Sequence, residues 1–299
     1  MLLRRHRPPL DLHDVGTSGP DDAANVTGID APIGVFDSGF GGLTVARALV
    51  DLLPHEDIIY LGDTARAPYG PRPIAEVRRY ALECMDRLVD HGVKALVIAC
   101  NTASSAVLRD ARERYDVPVT EVILPAARRA VQATRNNRVG VVCTVGTAAS
   151  RSYDDALAVA PHVSLTTAPC PLFVEFVEAG ITGGPDLLAV ARDYLRPLQD
   201  AGIDTLILGC THYPLLAGVF RYVLGDAVTL VSSADECARE TYATLADAGL
   251  IHPCPRRPER LFLTTGNAET FAGIGRRLMG GFVDEVRAIR VVGDPRPVG

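Results

Sequence analysis

The sequence predicts an α/β protein of two similar α/β domains with largely parallel sheets, pseudo-symmetric, with a ligand cleft between them. Three observations carry this. From Ala31 onward, short apolar runs are followed by amphipathic stretches, the strand-then-helix rhythm of a parallel sheet. Several runs are continuous and β-branched instead of alternating, as strands covered on both faces are. Two pairs of segments also repeat. Ala95-Leu-Val-Ile-Ala-Cys100-Asn-Thr aligns without gaps on Thr205-Leu-Ile-Leu-Gly-Cys210-Thr-His, and Ile33-Gly-Val-Phe-Asp37-Ser38 resembles Val139-Gly-Val-Val-Cys143-Thr144. The period is too long for a solenoid, so the repeat reads as a duplicated α/β unit.

In chain order, strands are expected at 33–36, 58–61, 95–99, 139–142, 165–167, 205–209, 228–231 and 261–264. Helices are expected at 43–53, 73–91, 103–115 and 186–201, where apolar residues recur every three or four positions. The first 31 residues mix Arg4, Arg5 and Arg7 with Asp11, Asp14, Asp21 and Asp22 among Gly, Pro, Ser and Thr, and read as a disordered tail. They hold no apolar stretch long enough for a secretory core or a membrane span, which points to the cytoplasm.

Composition narrows the function classes. The 299 residues are 47% apolar and 22% charged, enough for real cores and against wholesale disorder. A net charge of −6 argues against a broad nucleic-acid footprint, so no direct nucleic-acid partner is expected. Seven cysteines, an odd number without CxxC spacing, do not form a disulfide scaffold; reduced thiols in an intracellular protein fit better. The seven histidines are scattered without metal-ligand spacing, and no metal is expected. Pyridoxal phosphate needs a Schiff-base lysine. The sole lysine, Lys94, stands at the amino end of the 95–99 strand, the wrong edge of the sheet, so no cofactor is expected.

Ligands of open parallel sheets bind beyond the carboxyl ends of the strands. Asp37, Cys100, Thr144 and Cys210 all stand there, next to Ser38, Asn101, Thr102, Thr211 and His212. A lone cysteine ending a strand is usually core filler. Two at equivalent repeat positions, each followed by compact polar residues, read instead as matching groups on opposite walls of one cleft. Cys84, Cys143, Cys170, Cys237 and Cys254 lack that context and read as structural. Asn101, Thr102 and Ser104 are expected to cap the helix after Cys100, whose N-terminal field would favour a thiolate. Pro214 marks a helix start after Cys210. Asp37 and His212 are candidates to orient the two sulfurs or exchange protons with them. The glycine-rich loop Asp37-Ser-Gly-Phe-Gly-Gly42 offers backbone donors to an anion, although it is equally readable as a tight strand-to-helix turn. Tyr69 and Gly70 follow the second strand at the same edge.

Taken together, Asp37-Ser-Gly-Phe-Gly-Gly-Leu-Thr-Val, Gly62-Asp-Thr-Ala-Arg-Ala-Pro-Tyr-Gly70, Cys100-Asn-Thr-Ala-Ser and Gly209-Cys-Thr-His-Tyr-Pro214 resemble the bacterial glutamate racemases of the aspartate/glutamate racemase superfamily. The resemblance implies a cofactor-independent isomerase that supplies D-glutamate for peptidoglycan. It implies Cys100 and Cys210 as the acid/base pair, and Asp37, Ser38, Tyr69, Gly70, Asn101, Thr102, Thr211 and His212 around glutamate. Thr144 and Thr147 match threonines near the substrate carboxylate, and Glu178 matches an auxiliary carboxylate beside the second cysteine. It also implies a first domain of 32–124 plus 232–299 and a second of 125–231. A homodimer and DNA gyrase binding occur in such proteins, and the sequence supports neither. Two rivals stay open: a racemase of aspartate or another amino acid, and a thiol-redox or ligand-binding module.

Overall fold

The computed structural model describes residues 28–291. Residues 1–27 of the expected tail lie outside them. The tail's expected last residues belong to the fold: Ala31 is fully buried, and the Ile29 carbonyl accepts from Lys94 Nζ at 2.8 Å.

The chain opens with β1 (Ile33–Asp37), α1 (Leu43–Leu52), β2 (Ile58–Gly62) and α2 (Ile74–Asp90). It continues with β3 (Ala95–Ile98), α3 (Asn101–Arg114), β4 (Val119–Glu121) and α4 (Ile123–Ala133). The unit then repeats as β5 (Arg138–Cys143), α5 (Val145–Ser150), α6 (Ser152–Leu157), β6 (Ser164–Pro169), α7 (Leu172–Glu178) and α8 (Pro185–Asp200). β7 (Thr205–Gly209), a 3-10 turn at Tyr213–Leu216, α9 (Ala217–Leu224) and β8 (Thr229–Ser232) complete it. α10 (Ser233–Asp247), β9 (Arg260–Thr264), α11 (Ala268–Met279) and β10 (Val286–Ala288) follow.

Two parallel sheets result. One has the order β10-β9-β2-β1-β3-β4, the other β6-β5-β7-β8. The order second-first-third-fourth recurs in both, so the short sequence repeat marks a duplicated topology. β9 and β10 extend the first sheet past β2.

The buried strands sort their side chains by parity, the period of a pleated strand. Val97 and Ala99 enter an inner core that also receives Val139, Val141 and Cys143 from β5 and Ile207 from β7. Leu96, Ile98 and Cys100 face an outer core beneath α2 and α3. Leu206, Leu208 and Cys210 face the corresponding outer core beneath α7, α8 and α9. Continuous apolar runs are therefore what each strand needs, and the two cysteines share one parity in the two halves. The inner core, closed by α10 against α1 and α4, is common to both sheets.

The strands β4 and β10 and the helices α4–α7 and α9–α11 are absent from the expected list: β4, β10 and α5–α7 are too short to show a period, whereas α4, α9, α10 and α11 carry an amphipathic pattern that sequence reasoning passed over. Among the described residues, no helix is long and apolar enough to cross a membrane.

Candidate functional site

The carboxyl ends of the two sheets face one another, and direct contacts tie them. Thr44 Oγ1 donates to the Thr211 carbonyl at 2.8 Å. Thr102 Oγ1 lies 2.9 Å from Thr144 Oγ1 and 3.3 Å from Thr147 Oγ1, while Thr144 and Thr147 are 3.0 Å apart. Close approach also explains two glycines. A Cβ on Gly41 would stand 2.5 Å from His212 Nδ1, and one on Gly70 would stand 3.2 Å from Thr144 Cβ. The glycine-rich loop thus serves contact between the halves as well as its own turn.

On the first wall, Cys100 itself caps α3: its sulfur accepts from Ala103 N at 3.4 Å. Asn101 and Thr102, expected as caps, are instead the helix's first residues. The Cys100 thiol reaches Ser38 Oγ at 3.4 Å. Burial, and then the negative charge of Asp37, push this thiol up to about 12, past what the Ser38 and Ala103 contacts return. The expected thiolate preference is overturned here, because desolvation of a buried sulfur outweighs the pull of the helix terminus. Asp37 acts on Cys100 through charge. Its Oδ2 accepts from Gly39 N at 2.9 Å, and burial raises its carboxyl above the ordinary range, against the pull of the neighbouring backbone N–H groups and the charge of His212.

On the second wall, His212 Nδ1 lies 3.7 Å from Cys210 Sγ, and His212 Nε2 lies 3.1 Å from Glu178 Oε1. Burial opposes a charge on the ring, but the contacts to Cys210 and Glu178 prevail and push His212 up to about 10. A protonated imidazole beside Cys210 supplies the sign of charge that a sulfur anion needs. Glu178 comes from the last turn of α7, so helix packing brings it to a loop 34 residues away in sequence. Pro214 stands in the 3-10 turn that precedes α9, a short prelude in place of a direct helix start.

Two buried polar atoms on this floor have no hydrogen-bond partner: Asp37 Oδ1 and Asn101 Nδ2. One is an acceptor and the other a donor, and each is costly unless a ligand completes it.

Other expected residues have different places. Tyr69 is buried, and its hydroxyl donates to Asp63, whose carboxylate also accepts from Arg66 Nε at 2.7 Å and Thr265 Oγ1 at 2.6 Å. The Tyr69 hydroxyl is thereby committed to the scaffold, and Gly70 is the part of that loop that meets the second half. Cys143 lies in the shared inner core, and burial pushes its thiol up to about 12. Lys94 is buried at the amino edge of β3, paired with Glu56 and donating to the Ile29 and Leu250 carbonyls. Among the described residues, no group of three or more His, Cys, Asp and Glu is placed to hold a metal.

Sequence reasoning missed Thr44, Asp63 and Tyr153. Thr44 and Asp63 stand inside the quoted motifs, whereas Tyr153 stands in a polar stretch without a local signal. Its ring lies behind Gly209, and its hydroxyl donates to Asn101 Oδ1 at 2.7 Å.

Comparison with known proteins agrees with this geometry. The pattern of the Asp/Glu/Hydantoin racemase family matches residues 33–241. A curated glutamate racemase from Parafrankia sp. (strain EAN1pec) is 62% identical over 262 residues, covering 87% of this chain and 94% of that protein. The crystal structure of glutamate racemase isoform RacE1 from Bacillus anthracis superposes with a TM-score of 0.81 at 39% identity, covering 87% of this chain and 97% of that one. Glutamate racemase from Francisella tularensis, solved with D-glutamate, superposes at 0.80 with 34% identity, covering 89% and 98%. With the match extending through both halves and both cysteine loops, this chain belongs to the Asp/Glu/Hydantoin racemase family, among the glutamate racemases.

Proposed function

We propose that the protein interconverts L- and D-glutamate without a cofactor, with Cys100 and Cys210 taking and returning the α-proton from opposite faces. The observation that supports the reading is a pair of unpartnered buried atoms in residues next to the strand ends, one of them adjacent to Cys100. Asp37 Oδ1 needs a donor and Asn101 Nδ2 an acceptor; an α-amino acid brings an ammonium and a carboxylate that answer both. The D-glutamate bound to the Francisella tularensis relative supports glutamate as that amino acid.

A single base on one face tends to return the same configuration, so inversion requires a second group opposite. In the resting protein Cys100 holds its proton, its thiol pushed up to about 12 by burial and Asp37. Cys210, beside the charged His212, serves as the base for one enantiomer, and the roles exchange for the other. Glu178 holds the ring and its charge. Ser38, Thr102, Thr144, Thr147 and Thr211, with the Gly70 loop, furnish neutral donors around the carboxylates. Neutral donors hold an anion without fixing a cation beside the carbanion's protonation partner, and preorganised dipoles stabilise the charge that develops on proton removal. Since an α-proton is weakly acidic, exclusion of water and fixed geometry carry much of the barrier lowering.

We place the reaction in the cytoplasm, a reading supported by the unpaired state of all seven cysteines, and assign its product to peptidoglycan. The test is incubation of purified protein with L-glutamate in deuterated buffer. Optical activity should decay to zero while deuterium enters the α-position. Unchanged rotation with no deuterium uptake would overturn the proposal.

A further inference from the structure

We infer that Tyr153 is a positioning residue that joins the two cysteine loops and aims the Asn101 amide at the ligand carboxylate. The inference rests on the functional reading above and extends it to a residue outside the motifs. Tyr153 belongs to α6 and is 2% exposed. Its hydroxyl donates to Asn101 Oδ1 at 2.7 Å, and Asn101 directly follows Cys100. Its ring closes over Gly209, where a Cβ would stand 3.0 Å from Tyr153 Cε2, and Gly209 directly precedes Cys210. One side chain therefore touches the backbone neighbour of each cysteine.

The hydrogen bond also decides which end of the amide faces the ligand. With Oδ1 taken by the phenol, the amide presents Nδ2, which is buried and unpartnered. A flipped amide would turn its carbonyl toward the carboxylate, where two acceptors repel. Burial, and then the charges of Glu121, Cys143 and Cys210, raise the phenol well above its usual range, so it stays a donor at any working pH. Because Tyr153 stands in the second half and Asn101 in the first, the amide is aimed only when the halves are together.

The test is Tyr153→Phe in the full chain, which removes the hydroxyl and keeps the ring against Gly209. KM for glutamate should rise about tenfold, the scale of a hydrogen bond to a charged group, with kcat within about threefold. A purely structural role would lower the amount of folded enzyme and leave KM alone. In an Asn101→Ala background the same change should add nothing to KM, as expected when one residue acts through the other. Should Tyr153→Phe not fold, Asn101→Asp keeps an acceptor for the phenol while losing the donor, and it must raise KM at least as much. An unchanged KM in Tyr153→Phe or Asn101→Asp, or effects of Tyr153→Phe and Asn101→Ala that multiply, would overturn the assignment. Wild-type protein that neither binds nor deuterates glutamate would instead bring down the functional reading, and this assignment with it.

Discussion

Cys100 caps α3 beside the carboxylate of Asp37, whereas Cys210 follows β7 beside an imidazole that Glu178 holds from behind. The two walls share a plan: the third strand of the same sheet order, the same side-chain parity and two polar residues directly after the sulfur, Asn101 and Thr102 on one wall and Thr211 and His212 on the other. The charges around the sulfurs are opposite. Burial and the Asp37 carboxylate push the Cys100 thiol up, whereas the group beside Cys210 is the His212 imidazole, itself pushed up by Cys210 and Glu178. Duplication places a cysteine at the end of the third strand in each half, and divergence of a few neighbours gives the two sulfurs different charged partners.

The largest test of this contrast removes the sulfurs. Cys100→Ser and Cys210→Ser should each lower racemisation by about 10³-fold, the range of a lost general acid or base, with far-ultraviolet circular dichroism unchanged. Each variant should still exchange solvent deuterium with one enantiomer only, and the favoured enantiomer should differ between the two. Near-normal racemisation by either one removes the two-wall mechanism.

Next is the imidazole. His212→Gln should lower kcat by about 10²-fold and erase a pH dependence that the Cys100 wall does not share. In the wild type the contacts to Cys210 and Glu178 push the ring up to about 10 against burial, so the charged form is expected at neutral pH and activity should fall as pH rises through about 10. The linkage has the same sign. Since the folded value lies above the ordinary 6.5, stability from the charged ring is complete below about 6.5 and lost as pH rises through about 10. A pH–rate profile and urea melts across that window check both, and an alkaline limb that survives in His212→Gln would assign it elsewhere.

The smallest effect on the reaction belongs at the opposite edge of the sheet. Lys94→Met leaves Glu56 as a buried carboxylate without its cation and should cost about 3 kcal/mol of stability. Activity per folded molecule should stay at the wild-type level, measured on the native fraction at low temperature. A selective loss of kcat would give the lysine a part in the chemistry.

Much of this contrast is legible in the residues. Cys100 and Cys210 align in the repeat, and the continuous apolar runs before them announce strands buried on both faces. Their neighbours are less so. Asn101 and Thr102 resemble caps by type, but the sulfur takes that role because Cys100 is the residue that leaves the strand with extended backbone. Tyr69 offers a hydroxyl at the right edge, but Asp63 claims it in the interior.

Local pattern along the chain sets the α/β class, the duplication, the two cysteines and the place of Lys94 at the amino end of its strand, away from the carboxyl ends, because strand period and loop chemistry are local properties. Only the folded packing brings Glu178 to His212, sets Tyr153 between Asn101 and Gly209, and pushes up both the Cys100 thiol and the His212 imidazole. Those are consequences of burial and of distances between residues far apart in sequence. Desolvation and Coulomb energies depend on what surrounds a group in space, and no local pattern encodes that surrounding.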